Sequence, residues 1–81
     1  MNDIKEEKLL AKGLKAPAAI LLVKKRLADV KTRYLRIIVT GSVVAEELLG
    51  YFDERGSRAE IDRAGDDYHV IVDMKNFKDV D

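Results

Sequence analysis

The sequence predicts an α+β two-layer sandwich: a four-stranded mixed sheet in the order 1-2-4-3 with two helices on one face. Three observations carry that expectation. Two stretches repeat apolar residues at helical spacing, four are short and mostly rich in β-branched or aromatic residues, and their order along the chain is β-α-β-α-β-β. If both crossovers are right-handed and step the same way across the sheet, the helices share a face and the last strand inserts antiparallel beside strands two and three. With 81 residues and 47% hydrophobic content, the chain makes one domain with one modest core.

Residues 1–7 read as a charged, disordered N-terminus and residues 8–12 as a short first strand. From Pro17, apolar Ile20, Val23, Leu27 and Val30 recur every three or four residues, predicting a helix over 17 to about 30 with proline in its first turn, where a missing amide costs nothing. Tyr34–Val39 reads as a strand with Leu35, Ile37 and Val39 on one face. Gly41-Ser42 breaks it, with Ser42 as the expected N-cap of a second helix whose stripe is Val44, Leu48 and Phe52 and whose end is near Gly56. Ala59–Ala64 and residues 68–74 are two further strands joined by the hairpin-forming Gly65-Asp66-Asp67. Residues 8–75 make the domain and 76–81 a frayed tail. The expected core is Ile20, Val23, Leu27, Leu35, Ile37, Val39, Val44, Leu48, Phe52, Ile61, Val70 and Val72.

Alternation along the strands then assigns the uncovered face of the sheet. If Leu35, Ile37 and Val39 face the helices, Tyr34, Arg36 and Ile38 face outward; if Val70 and Val72 face in, His69, Ile71 and Asp73 face out, and Leu10 joins them. Ile38 and Ile71 on adjacent strands form an expected apolar spot suited to a protein partner or a homodimer.

Composition excludes several chemistries. With no cysteine in the chain, disulfides, thiolate catalysis and cysteine-based metal sites are ruled out, and the lone His69 makes no multi-histidine site. Glu46-Glu47 at a helix start and Asp66-Asp67 in a turn have structural reasons to be there, so no metal and no cofactor is expected. No apolar run approaches the ~20 residues of a bilayer span, and the charged start does not resemble a signal peptide, so a cytoplasmic protein without membrane contact is expected. The formal net charge of zero hides an asymmetry: residues 8–36 hold nine Lys or Arg and one acid, residues 37–81 eleven acids and five bases.

The stretch Gly13-Leu14-Lys15-Ala16-Pro17-Ala18-Ala19 resembles the Gly-Leu-x-Cys-Pro-x-Pro motif of the TusA/SirA-like sulfur-carrier family. The resemblance extends over residues 8–75 through element order and through Gly50-Tyr51-Phe52 in the second helix. It implies the 1-2-4-3 two-layer fold and, in relatives, a cysteine at a helix start that carries sulfur as a persulfide. Here the cysteine position is Ala16 and the second proline position Ala19, and the acidic turn common before the second helix in relatives reads Thr40-Gly41-Ser42. The joint loss favours natural divergence over an introduced Cys-to-Ala change. Ala16 also falls where an N-cap belongs, a place where alanine costs ~0.5–2 kcal/mol against Ser, Thr, Asp or Asn.

The resemblance therefore implies a non-enzymatic module with no catalytic residue, docking a protein partner of a sulfur relay through Gly13, Leu14, Lys15, Ala16 and Pro17, or through the open sheet face of Tyr34, Arg36, Ile38, His69 and Ile71. The alternative is nucleic-acid binding along the basic edge of Lys24-Lys25-Arg26, Lys31, Arg33 and Arg36, an idea supported by a layout that also resembles the C-terminal domain of a bacterial translation initiation factor. The zero net charge and the scarcity of free aromatic residues for base stacking weigh against nucleic acid.

Overall fold

Strand pairing in the computed structural model, which describes residues 5–77 apart from the side chain of Asn76, follows the order β1-β2-β4-β3 that the sequence predicts. The elements are β1 (Glu6–Leu10), α1 (Ala16–Leu27), β2 (Tyr34–Val39), α2 (Ser42–Glu54), β3 (Ala59–Ala64) and β4 (Asp67–Asp73), followed by a 3-10 turn at Met74–Asn76. β1 and β2 are parallel, and β4 runs antiparallel to both β2 and β3. The helices pack against each other, and the smallest extent, 18 Å, matches one helix layer on one sheet layer.

The core follows from alternation on the two inner strands. Leu35, Ile37 and Val39 of β2 and Val70 and Val72 of β4 are fully buried, while the residues between them are half-exposed. Val23, Leu48 and Phe52 cover them from the helix side. Of the predicted core, Ile20, Leu27, Val44 and Ile61 are half-buried at its margin; Leu9, Ala11 and Ala19 are buried without having been expected there, and Ala45 and Tyr51, which flank the predicted stripe of α2, are buried with it. Three of those five are alanines, which let helix and strand backbones approach closely. Phe77, expected in the frayed tail, packs its ring 5.8 Å from that of Phe52; residues 78–81 lie outside the described residues.

Several boundaries shift for physical reasons. β1 starts at Glu6 because its acids meet cations supplied by other elements: Arg36 Nε donates to Glu6 Oε2 at 2.9 Å, and Arg26 Nη1 donates to Glu7 Oε2 at 2.6 Å. α1 stops at Leu27, and its end tightens as Asp29 N–H bonds the Arg26 carbonyl. β4 begins at Asp67, opposite Ala64, so the turn is the two residues Gly65-Asp66. Gly65 has φ +63° and Asp66 does not have positive φ, as a type II′ hairpin turn requires.

α2 ends in a Schellman motif. Ser57 N–H bonds the Phe52 carbonyl at 3.0 Å and Gly56 N–H bonds the Asp53 carbonyl at 3.1 Å, with Gly56 left-handed at φ +76°. A Cβ on Gly56 would meet nothing within 4 Å, so Gly56→Ala isolates the backbone cost of that conformation. Chemical denaturation of Gly56→Ala is expected to show a loss of about 1–2 kcal/mol. Phe52→Ala, which empties the largest fully buried side chain, should lose about 3–5 kcal/mol in the same measurement.

Candidate functional site

The Gly13–Pro17 motif spans the end of the β1–α1 turn and the first two residues of α1. Gly13 N–H donates to Thr40 Oγ1 at 3.1 Å, which ties this turn to the one that follows β2. Both helices begin at this end of the sheet, beyond the carboxyl ends of the parallel strands β1 and β2. The first helical bond of α1 runs from Ala19 N–H to the Lys15 carbonyl at 2.9 Å, so Lys15 is the N-cap and Ala16 the first helical residue. The N-cap cost assigned to Ala16 from the sequence therefore does not apply, because alanine is a favoured residue inside a helix. The same correction holds in α2: Ala45 N–H bonds the Gly41 carbonyl at 3.1 Å, making Gly41 the N-cap in place of Ser42.

Neither helix has a side chain capping its first amides. In α1 the peptide N–H groups of Ala16 and Ala18 are available there, since Pro17 has none. Lys15 is exposed beside them, whereas Lys12 pairs with Asp67 at 3.0 Å. Ala16 is half-buried and Pro17 exposed, and the methyl group of Ala16 offers no atom for acid–base, nucleophilic or metal chemistry.

The residues assigned to the open face do share one face, in rows given by the register. Leu10 lies beside Ile38, which faces His69; Lys8 lies beside Arg36, which faces Ile71; Glu6 lies beside Tyr34, which faces Asp73. Ile38 and Ile71 are therefore diagonal neighbours, each opposite a polar residue. Leu10, 67% exposed, extends the apolar row at Ile38 toward the β1 edge. The polar partners are tied to one another. Arg36 reaches Glu6 with Nε and His69 Nδ1 with Nη1 at 2.8 Å. Because a guanidinium only donates, Nδ1 accepts and the His69 ring proton sits on Nε2. Arg33 grips Asp73 through Nε and Nη2 at 3.0 and 3.1 Å, with its guanidinium carbon 5.2 Å from the centre of the Tyr34 ring.

These contacts set the protonation behaviour. The two Arg33 bonds, helped by the Lys75 N–H donating to Oδ1 at 3.0 Å, hold the Asp73 carboxyl at about 2 against an ordinary 3.8. Glu6 is lowered by its bond to Arg36, and Arg33 is raised by Asp73. Among the described residues no three His, Asp or Glu side chains converge as metal ligands would, and no helix is long and apolar enough to cross a membrane.

A surface that sequence reasoning missed is the groove of about 750 Å³ between α2 and β3, bordered by Glu46, Leu49, Asp53, Ser57, Ala59 and Ile61. Two signals in the sequence point to it. The 1-2-4-3 order makes Ala59–Ala64 an edge strand, and Leu49 lies off the main stripe of α2.

A carboxyl lowered by folding contributes stability above its ordinary range and loses it as the pH falls through its folded value. The Asp73 contribution is therefore expected to be intact above about pH 4 and to vanish by about pH 2. Carbon-detected NMR titration should find the Asp73 carboxyl well below the ordinary aspartate value of 3.8, and Arg33→Ala should move it back toward that value.

Comparison with protein-family models, with curated proteins and with solved structures finds no match for this chain, so its architecture and site geometry are what describe it.

Proposed function

We propose that the chain is a non-catalytic protein-binding module of the TusA/SirA-like kind, which docks a sulfur-relay or regulatory partner without itself accepting sulfur. The observation that carries this reading is the position of Ala16. In a β-α-β-α-β-β sheet of order 1-2-4-3, it opens the first turn of α1 directly before Pro17, where the resembled family places its cysteine, and the chain contains no cysteine. The uncapped helix start and exposed Lys15 are the features that would favour a thiolate at that position.

Nucleic-acid binding is the weaker reading, because much of its basic edge is engaged. Arg26, Arg33 and Arg36 pair with Glu7, Asp73 and Glu6, which lowers the positive potential available to phosphates.

Restoring the missing atom tests the preferred reading. The introduced thiol of Ala16→Cys is expected to titrate below the free-cysteine value of about 8.5, measured by alkylation rate against pH. Offered a persulfidated cysteine desulfurase, its thiolate attacks the outer sulfur, taking one sulfur atom and releasing the donor thiolate. Intact mass should register that single addition, absent in the parent chain. A folded variant with an accessible thiol that gains no sulfur would rule out the relay surface.

A further inference from the structure

The backbone of β3 is open along one side. Among the described residues β3 pairs only with β4, and the Arg58 carbonyl accepts from Asp73 N–H at 2.9 Å. From that bonded pair the register steps in twos, to Glu60 opposite Ile71 and Asp62 opposite His69. Ala59, Ile61 and Arg63 occupy the alternate pairs, so their N–H and C=O groups point away from β4, out of the free edge. Their cross-strand partners are Val72, Val70 and Tyr68, which places their side chains on the helix side, beside the groove along α2. β3 contains no proline, and its register with β4 runs without a bulge, so neither of those protections blunts the edge.

We propose that this edge binds an extended, basic segment of a partner protein as a fifth strand, with alternate side chains of the segment entering the groove between α2 and β3. Main-chain pairing supplies affinity, and the groove supplies selectivity. Leu49, Ala59 and Ile61 give apolar contact, while Glu46 and Asp53 of α2 border it with carboxylates that have no ion-pair partner among the described residues. Arg58 is the one base on the lining, so the groove is net acidic. Ser57 is an independent pointer: it lines the groove, is only 4% exposed, and its Oγ has no hydrogen-bond partner. A polar group arriving with the segment would satisfy it.

Charge argues against a second copy as the occupant. Pairing β3 with β3 would bring two sets of Glu60 and Asp62, and two acidic grooves, into one interface. The β3 edge is also the far side of the sheet from β1 and its turn into α1, so the proposal stands independently of the sulfur-relay reading.

The test uses the whole chain and a fluorescein-labelled peptide of alternating valine and lysine, about eight residues long, against its valine–glutamate counterpart. Fluorescence anisotropy is expected to show saturable binding of the lysine peptide alone, with amide NMR shifts concentrated at Ala59, Ile61 and Arg63. Ala59→Pro removes an edge N–H without touching the β4 pairing and should weaken binding by about tenfold or more. Glu46→Lys combined with Asp53→Lys, at exposed positions that leave the thermal melt intact, should transfer the preference to the glutamate peptide. Absence of binding at millimolar peptide, equal binding of both peptides, or shifts away from β3 would each overturn the proposal. So would self-association through the same amides, which would make the occupant a second copy.

Discussion

The buried stripe on the two inner strands is the constraint on which the rest depends. Leu35, Ile37 and Val39 on β2 and Val70 and Val72 on β4 must all leave water, and with a side-chain period of two they can do so only on one face. That face requires a cover. α1 and α2 provide it with Val23, Leu48 and Phe52, both crossovers stay on the same side, and the opposite face is left to polar chemistry. A slip of one residue between β2 and β4 would exchange Leu35, Ile37 and Val39 for Tyr34, Arg36 and Ile38, burying a guanidinium, so the pairing register is strongly specified.

Ion pairs on both sides of the sheet show how the charge asymmetry along the chain is resolved in three dimensions. The basic first half and the acidic second half do not remain apart as a simple dipole: Arg33 meets Asp73 and Lys12 meets Asp67 across the sheet. Arg26 and Arg36 instead reach back to Glu7 and Glu6 at the start of β1. Such solvent-screened surface pairs contribute little to stability. They engage three of the six cations of the basic edge, Arg26, Arg33 and Arg36, while Glu46 and Asp53 of α2 have no ion-pair partner among the described residues. The two surfaces proposed for recognition lie at opposite parts of the sheet: the uncapped start of α1, and the edge of β3 that no described strand pairs with.

Ala16 illustrates how a one-residue difference alters an argument about selection. Read as an N-cap, alanine is an anomaly that invites a lost function; as the first helical residue it is an ordinary choice. The proposal for the site therefore rests on the resemblance of the surrounding motif and on the position of Ala16 in the fold, with no support from a supposed folding cost.

Strand and helix identities were legible because they depend on local spacing. β2 and β3 have the bounds that alternation and turn residues predict, and Gly56 and Gly65 mark a helix end and a hairpin because only glycine adopts left-handed backbone freely. What the sequence alone determined was thus the element order, the inward stripe of the inner strands and the absence of thiol chemistry. Tertiary structure alone decided the rest: Glu6 and Glu7 become strand residues only where Arg36 and Arg26 arrive to meet them, and Phe77 joins the core only through contacts with distant elements. The β3 groove exists only because α2 lies beside a free edge. These features depend on pairs of residues far apart in the chain, and local periodicity carries no information about which of them will meet.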